Sequence, residues 1–186
     1  MQLMMRDYIK FLFILLIFVA TSVSKTYAQV KTEETVRWYT IEQAEALAKK
    51  NKRKIFIDVF TNWCGWCKNM EKSTFSQQHI IHYINENYYA VKLDAEQRNE
   101  IVFKNKTYHF VTQSGVGFNE LAAEFLRGQM SYPTIIFLDE DLNTIQVIPG
   151  YRDAAQFEKI MTYFGEDNHK KTPWSKYEKT YQPMKR

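Results

Sequence analysis

Cysteine is nearly absent: 186 residues hold two, Cys64 and Cys67, only two residues apart. A disulfide scaffold staples distant segments, so this pair excludes that class. Histidine is also scarce, with His79, His82, His109 and His169 as the full set. Four prolines and six glycines exclude collagen-like and low-complexity chains. Neither sign of charge dominates: 25 Lys and Arg stand against 21 Asp and Glu, an excess of +4. Arg6, Lys10, Lys25 and Asp7 carry +2 of that excess, and the +2 left on the remainder is too balanced to argue for nucleic acid. No apolar run reaches the ~20 residues of a bilayer-spanning helix. What the chain does have is apolar matter, 45% with 16% aromatic, enough for one globular domain with a sizeable core.

The first 28 residues have the layout of a secretory signal. Arg6 and Lys10 precede a ten-residue apolar run, Phe11 to Ala20, and Thr26-Tyr27-Ala28 offers a small residue before a cut after Ala28. The alternative is an uncleaved anchor, which would tie the chain to a membrane. Residues 29–35 are polar and read as a flexible lead-in. A domain is expected over 36–165 and a basic, aromatic tail over 166–186, with Trp174, Tyr177 and Tyr181 on one helical face. That face reads as docked on the core, or else as a partner surface.

Between these limits strands and helices alternate. Val36 to Tyr39 predicts a short strand. Thr40 with Gln43 is a capping box, and Ile41, Ala44, Leu47 and Ala48 form one helical face ended by Asn51. Lys54 to Phe60 is an apolar run that predicts a strand buried on both faces. Ser76 can cap a helix carrying Ile80, Ile81 and Ile84, and Tyr88 to Asp94 is another strand. Glu100–Phe103 and Thr107–Val111 flank Lys104-Asn105-Lys106 and predict one β-hairpin within about 96–117. Gly115 and Gly117 mark a loop, and Phe118 to Leu126 predicts a helix. Thr134–Leu138 and Thr144–Ile148 predict a second hairpin, and Asp153 with Gln156 caps a last core helix.

The chemistry is concentrated in Trp63-Cys64-Gly65-Trp66-Cys67-Lys68, between the buried strand and a helix-compatible stretch. The first cysteine then meets unpaired N–H groups and the positive end of a helix, which favour a thiolate. The motif, Asp58 six residues earlier, and Tyr132-Pro133-Thr134 before an apolar strand together resemble the thioredoxin superfamily, in particular exported thioredoxin-like proteins with a Cys-Gly-Trp-Cys-Lys motif. The resemblance implies an α/β thioredoxin fold, a central mixed β-sheet flanked by helices, here with the inserted hairpin. It implies thiol–disulfide exchange through the pair; Cys64, which comes first and stands at the helix entrance, is the expected nucleophile and the more exposed thiol, and Cys67, deeper in the helix, is the expected resolving thiol. It also implies a cis Pro133 opposite the pair.

Asp58 is read as a buried base for Cys67, or else as a turn-facing carboxylate paired with Lys92. Trp63, Gly65, Trp66, Tyr132 and Pro133 are the expected client-binding residues, with Lys68 and Lys92 in support. Trp63 and Trp66 equally fit a shield over the disulfide. No cofactor beyond the redox pair is expected. The expected partners are protein thiols and disulfides with an unidentified electron donor, in an oxidising compartment such as a bacterial periplasm. Cys64, Cys67, His79 and His82 give C-x2-C-x11-H-x2-H, one residue short of zinc-finger spacing in a strand–helix context, so no metal is expected and the two histidines read as helix-surface residues. A non-catalytic client-binding or assembly module using the insertion and tail is the alternative function.

Overall fold

The structure, a computed structural model, describes residues 34–184. The signal segment and residues 29–33 lie outside the described residues. The chain runs β1 (Trp38–Tyr39), α1 (Ile41–Lys50), β2 (Lys54–Phe60), α2 (Gly65–Ser73), α3 (Gln78–Asn87) and β3 (Tyr88–Asp94). Then come β4 (Ile101–Phe103), β5 (Lys106–Tyr108), β6 (Phe110–Gln113), β7 (Val116–Asn119) and α4 (Glu120–Phe125). It ends with β8 (Thr134–Leu138), β9 (Thr144–Pro149), α5 (Ala154–Gly165) and α6 (Trp174–Thr180).

Five strands form one mixed sheet in the order β1-β3-β2-β8-β9. β1, β3 and β2 are parallel, while β8 runs antiparallel to β2 and β9 antiparallel to β8. β2 is therefore central, which is why it is apolar on both faces. Its alternate residues feed two cores. Ile55, Ile57 and Val59 join α1 and α4, whereas Phe56 joins α2, α3 and α5. Phe56 lies 5.3 to 6.5 Å, centroid to centroid, from the rings of Trp38, Phe75, Tyr88, Phe137 and Phe157. Truncating such a ring to Ala typically costs about 3–5 kcal/mol.

Both predicted capping boxes form, at Thr40/Gln43 and Asp153/Gln156. Ser76 does not cap α3: its hydroxyl donates to the Lys72 carbonyl at 2.6 Å, and Gln77 holds the cap position without a side-chain bond. The lead-in is pinned at its end, because the Asn85 amide donates to Glu34 Oε1 and to the Thr35 carbonyl.

The insertion is two hairpins rather than one. β4–β5 is the expected hairpin, turning at Lys104 and Asn105, both with positive φ as a two-residue type I′ connection requires. β6–β7 is a second, turning at Ser114 and Gly115. The segment expected to be a loop at Gly117 is thus strand, and the helix starts at Glu120 rather than Phe118. Gly117 serves close approach: a Cβ there would sit 2.3 Å from the Phe110 ring.

The hairpins lie at opposite ends of the sheet. Lys104 Nζ donates to the Leu142 carbonyl in the β8–β9 turn, so β4–β5 reaches the end away from the cysteines. It does not overhang them. Ile101, Phe103 and Tyr108 are instead buried in the core beside α1. Residues 174–184 dock on the core as expected: Tyr177 packs 4.8 Å from Tyr163, and buried Glu158 accepts from the Tyr181 hydroxyl at 2.7 Å and the Met184 N–H at 2.6 Å.

Candidate active site

β2 ends at Phe60, beside Asp94 of β3 and close to the start of β8. The chain then turns through Thr61 to Trp63 and starts α2, with Cys64 as the N-cap. The Cys67 N–H donates to Cys64 Sγ at 3.1 Å, so the helix start aims a donor at that sulfur. Cys64 and Cys67 are joined as a disulfide with their Cα atoms 5.3 Å apart. In this oxidised form both are buried, 5% and 4% exposed, so exposure does not tell the two apart. The distinction of Cys64 is the helix N-terminus and the N–H on its sulfur.

Tyr132–Pro133 is cis and immediately precedes β8. The Pro133 carbonyl accepts from the Gly150 N–H at 2.7 Å, tying this turn to the loop before α5. Thr134 pairs with Val59, which brings Pro133 beside the last residues of β2 and hence the cysteine turn.

Asp58 occupies the β2 face shared with Phe56, the α2 side, and is 1% exposed. Both sequence readings of it hold in part: it is buried, and Lys92 Nζ donates to its Oδ2 at 2.9 Å. Its Oδ1 is buried without a partner among the described residues. Burial raises the Asp58 pKa above the usual carboxylate value, Lys92 opposes the shift, and Glu71 adds to it. For Lys92, burial pulls the pKa down, but Asp58 and Glu71 outweigh it and the net direction is up. Glu71 Oε2 lies 3.2 Å from Lys92 Nζ, so the lysine bridges a buried and an exposed carboxylate.

Two exposed indoles flank the disulfide. Trp63 stands edge-on to Tyr132 at 5.8 Å, and its N–H donates to Glu96 at 2.9 Å. Trp66 packs 5.3 Å from Tyr151, whose hydroxyl lies 3.0 Å from the Ser73 hydroxyl. Tyr132 is pushed up to about 12 by burial and by the negative Glu96 and Asp94. Gly65 opens α2 with nothing within 4 Å of the point where a Cβ would stand, so space does not demand glycine there. Lys68 is exposed on α2.

Glu71, Glu96 and Tyr151 join the site without having been expected there. Glu71 sits four residues after Cys67 on the same helix, a spacing that is visible in the sequence. Glu96 and Tyr151 carry no local signal. The histidines do not converge on the cysteines. His79 is not a surface residue: it is partly buried between helices, 3.1 Å from Glu158. His82 is exposed near Glu86, and His109 lies 3.2 Å from Glu100.

A five-stranded mixed sheet between helices, with a helix-capping disulfide and a cis proline beside it, defines a thioredoxin-fold protein. The family model described as Thioredoxin-like domain matches residues 41–165, and the chain belongs to that family. Within it Cys64 and Cys67 form a disulfide-bonded pair of the C-x-x-C type.

The chain is 36% identical over 84 residues to Spermatogenesis-associated protein 20 of Rattus norvegicus, a match covering 45% of this chain and 11% of that protein. It is 27% identical over 113 residues to Thiol:disulfide interchange protein DsbD of Yersinia pestis, covering 60% of this chain and 16% of that one. The chain thus matches only a small part of these relatives' lengths. A solved thioredoxin-fold protein from Helicobacter pylori superposes with a TM-score of 0.54 at 18% identity, over 83% of this chain and 92% of that chain.

Proposed function

We propose that this chain reduces or isomerises disulfides of exported proteins through Cys64 and Cys67. The observation that carries the reading is Cys64 at the N-cap of α2, its sulfur receiving an N–H and bonded to Cys67, with a buried carboxyl on the α2 side of β2. In the reduced protein the Cys64 thiolate attacks a client disulfide, forms a mixed disulfide and expels one client thiolate. Cys67 then loses its proton and attacks Cys64 Sγ. The second client thiolate leaves, and the Cys64–Cys67 disulfide forms. The client gains two electrons and the pair loses two.

Asp58 is the group held in a state to take the Cys67 proton, because burial keeps its affinity for a proton high. Lys92 and Glu71 set the charge around it. No bound cofactor is invoked; an external dithiol donor re-reduces the pair. Export rests on the Arg6, Lys10 and Phe11–Ala20 pattern ahead of Ala28, and the DsbD likeness supports a bacterial periplasm.

The test is turnover of a disulfide-bonded protein by the reduced chain, with Cys67→Ser and Cys64→Ser beside it. Cys67→Ser should accumulate mixed disulfides and Cys64→Ser should not. Absence of exchange by the wild-type dithiol would end this reading. The reduction potential against glutathione then separates reductase from isomerase poise.

A further inference from the structure

Four large apolar side chains are exposed among the described residues, and two of them, Trp63 and Trp66, bracket the disulfide at 67% and 62% exposure. Cys64 and Cys67, each directly following one of these indoles in the chain, are almost closed to solvent. An attacking sulfur therefore arrives on a segment that lies between the two indoles. Each indole is held by its own tyrosine, Tyr132 or Tyr151. Tyr151 is fixed in turn by Ser73 and by Arg152, whose guanidinium donates to the Tyr151 carbonyl at 2.7 Å.

The brackets differ in charge. Beside Trp63 lie Glu96 and Asp94, neither within salt-bridge distance of a cation among the described residues. They line a cavity of about 580 Å³ with Asn62, Gln97, Arg98 and Phe110. Arg98 is committed to the Phe110 ring, 4.6 Å from its centroid. The second hairpin supplies the far wall, since Phe110 and Gly117 line this cavity. Beside Trp66 lies Tyr151, with the cationic Arg152 bonded to its carbonyl.

Resting on the exchange reading above, we propose that the client is an extended cysteine segment with an apolar side chain seated on Trp66 and Tyr151 and a basic side chain seated by Trp63, Glu96 and Asp94. Tyr151 is a specificity-determining, positioning residue: it holds Trp66 upright as one wall of the cleft. Glu96 holds Trp63 and presents charge to the client's cation. Trp63 and Trp66 directly precede Cys64 and Cys67 in the chain, so the occupant is the segment that brings the reacting sulfur.

The experiment uses single-cysteine peptides activated as mixed disulfides with a chromophoric aryl thiol, reacted with the reduced chain in single turnovers. The residues flanking the cysteine are Leu and Lys, Leu and Glu, Gly and Lys, or Gly and Gly, each in both orders. One order of Leu/Lys should half-saturate the protein at the lowest concentration. Leu should gain about 3- to 10-fold over Gly, the range for an aromatic contact. Lys should gain about 2- to 5-fold over Glu, the range for an exposed ion pair with a cation–π face.

Tyr151→Ala should abolish the preference for Leu and spare the preference for Lys, and Tyr151→Phe should restore the former. Glu96→Gln should abolish the preference for Lys alone. These effects should fall mainly on half-saturation rather than the limiting rate. Equal half-saturation for all peptides in the wild type overturns the proposal while leaving exchange intact. So does a Tyr151→Ala variant that weakens Gly/Gly as much as Leu/Lys. No reaction with any peptide overturns the exchange reading itself.

Discussion

Asn at position 58 keeps the shape of the aspartate and removes its charge. Asp58 is 1% exposed, with one carboxylate oxygen on Lys92 at 2.9 Å and the other without a partner among the described residues. Its folded pKa lies above the unfolded value, chiefly through burial. Such a group contributes stability in full below the unfolded pKa of about 3.9, and that contribution is lost as pH rises through the folded pKa. Asp58→Asn has no such loss. The variant should therefore gain stability relative to wild type as pH rises from about 4, by about 1.4 kcal/mol for each pH unit between the two pKa values. Lys92 is not orphaned, because Glu71 remains 3.2 Å away.

Kinetics should move the other way. A positioned base typically contributes about 10²- to 10⁴-fold, and the lower end applies where the thiol ionises unaided near pH 8.5. Release of the mixed disulfide by Cys67 should slow about 100-fold at pH 6–7. The gap should close toward pH 9. Acid-quenched time courses from pH 6 to 9 measure the release, and urea unfolding of the oxidised protein at pH 5 and 8 measures the stability. Equal release rates from pH 6 to 8 would refute the proton-transfer role, and a stability difference that is flat with pH would refute the buried-charge argument.

Three further outcomes follow from the same structure. Brief alkylation of the reduced protein near neutral pH should modify Cys64 well before Cys67, read by peptide mass spectrometry; because both are equally buried when oxidised, equal rates would mean that the helix start does not favour the Cys64 thiolate. Phe103→Ala should cost about 3–5 kcal/mol in denaturant unfolding, because this insertion residue is 4% exposed within the core, whereas a short linker in place of residues 112–117 should leave the unfolding midpoint nearly unchanged. Glu158→Gln should weaken the docking of residues 174–184 by about 1.5–3 kcal/mol, the range for hydrogen bonds to a charged group, seen as faster amide exchange there; unchanged exchange would show that the aromatic contacts alone hold the tail.

The readable parts of this chain are those whose cause is local. The capping boxes at Thr40 and Asp153 each involve residues three apart. The buried β2 follows from an unbroken apolar run, and the cysteine turn from a two-residue spacing at its end. The second hairpin escapes a sequence reading for a local reason as well. Its glycines look like loop signals, yet Gly115 supplies the turn and Gly117 makes room for Phe110. The first hairpin is recognisable as a hairpin, but nothing in its sequence says which end of the sheet it covers.

By itself the sequence determined the thiol pair, its helix, the central strand and a carboxylate within it, because backbone hydrogen bonding and side-chain periodicity act over a few residues. The tertiary structure alone decided what surrounds them. Trp63 meets Glu96 across 33 positions, Ser73 meets Tyr151 across 78, and His79 turns inward to a glutamate of α5. Those meetings depend on the register of β2 against β3 and β8. Register is set by the summed packing of two cores, which no short stretch of chain encodes.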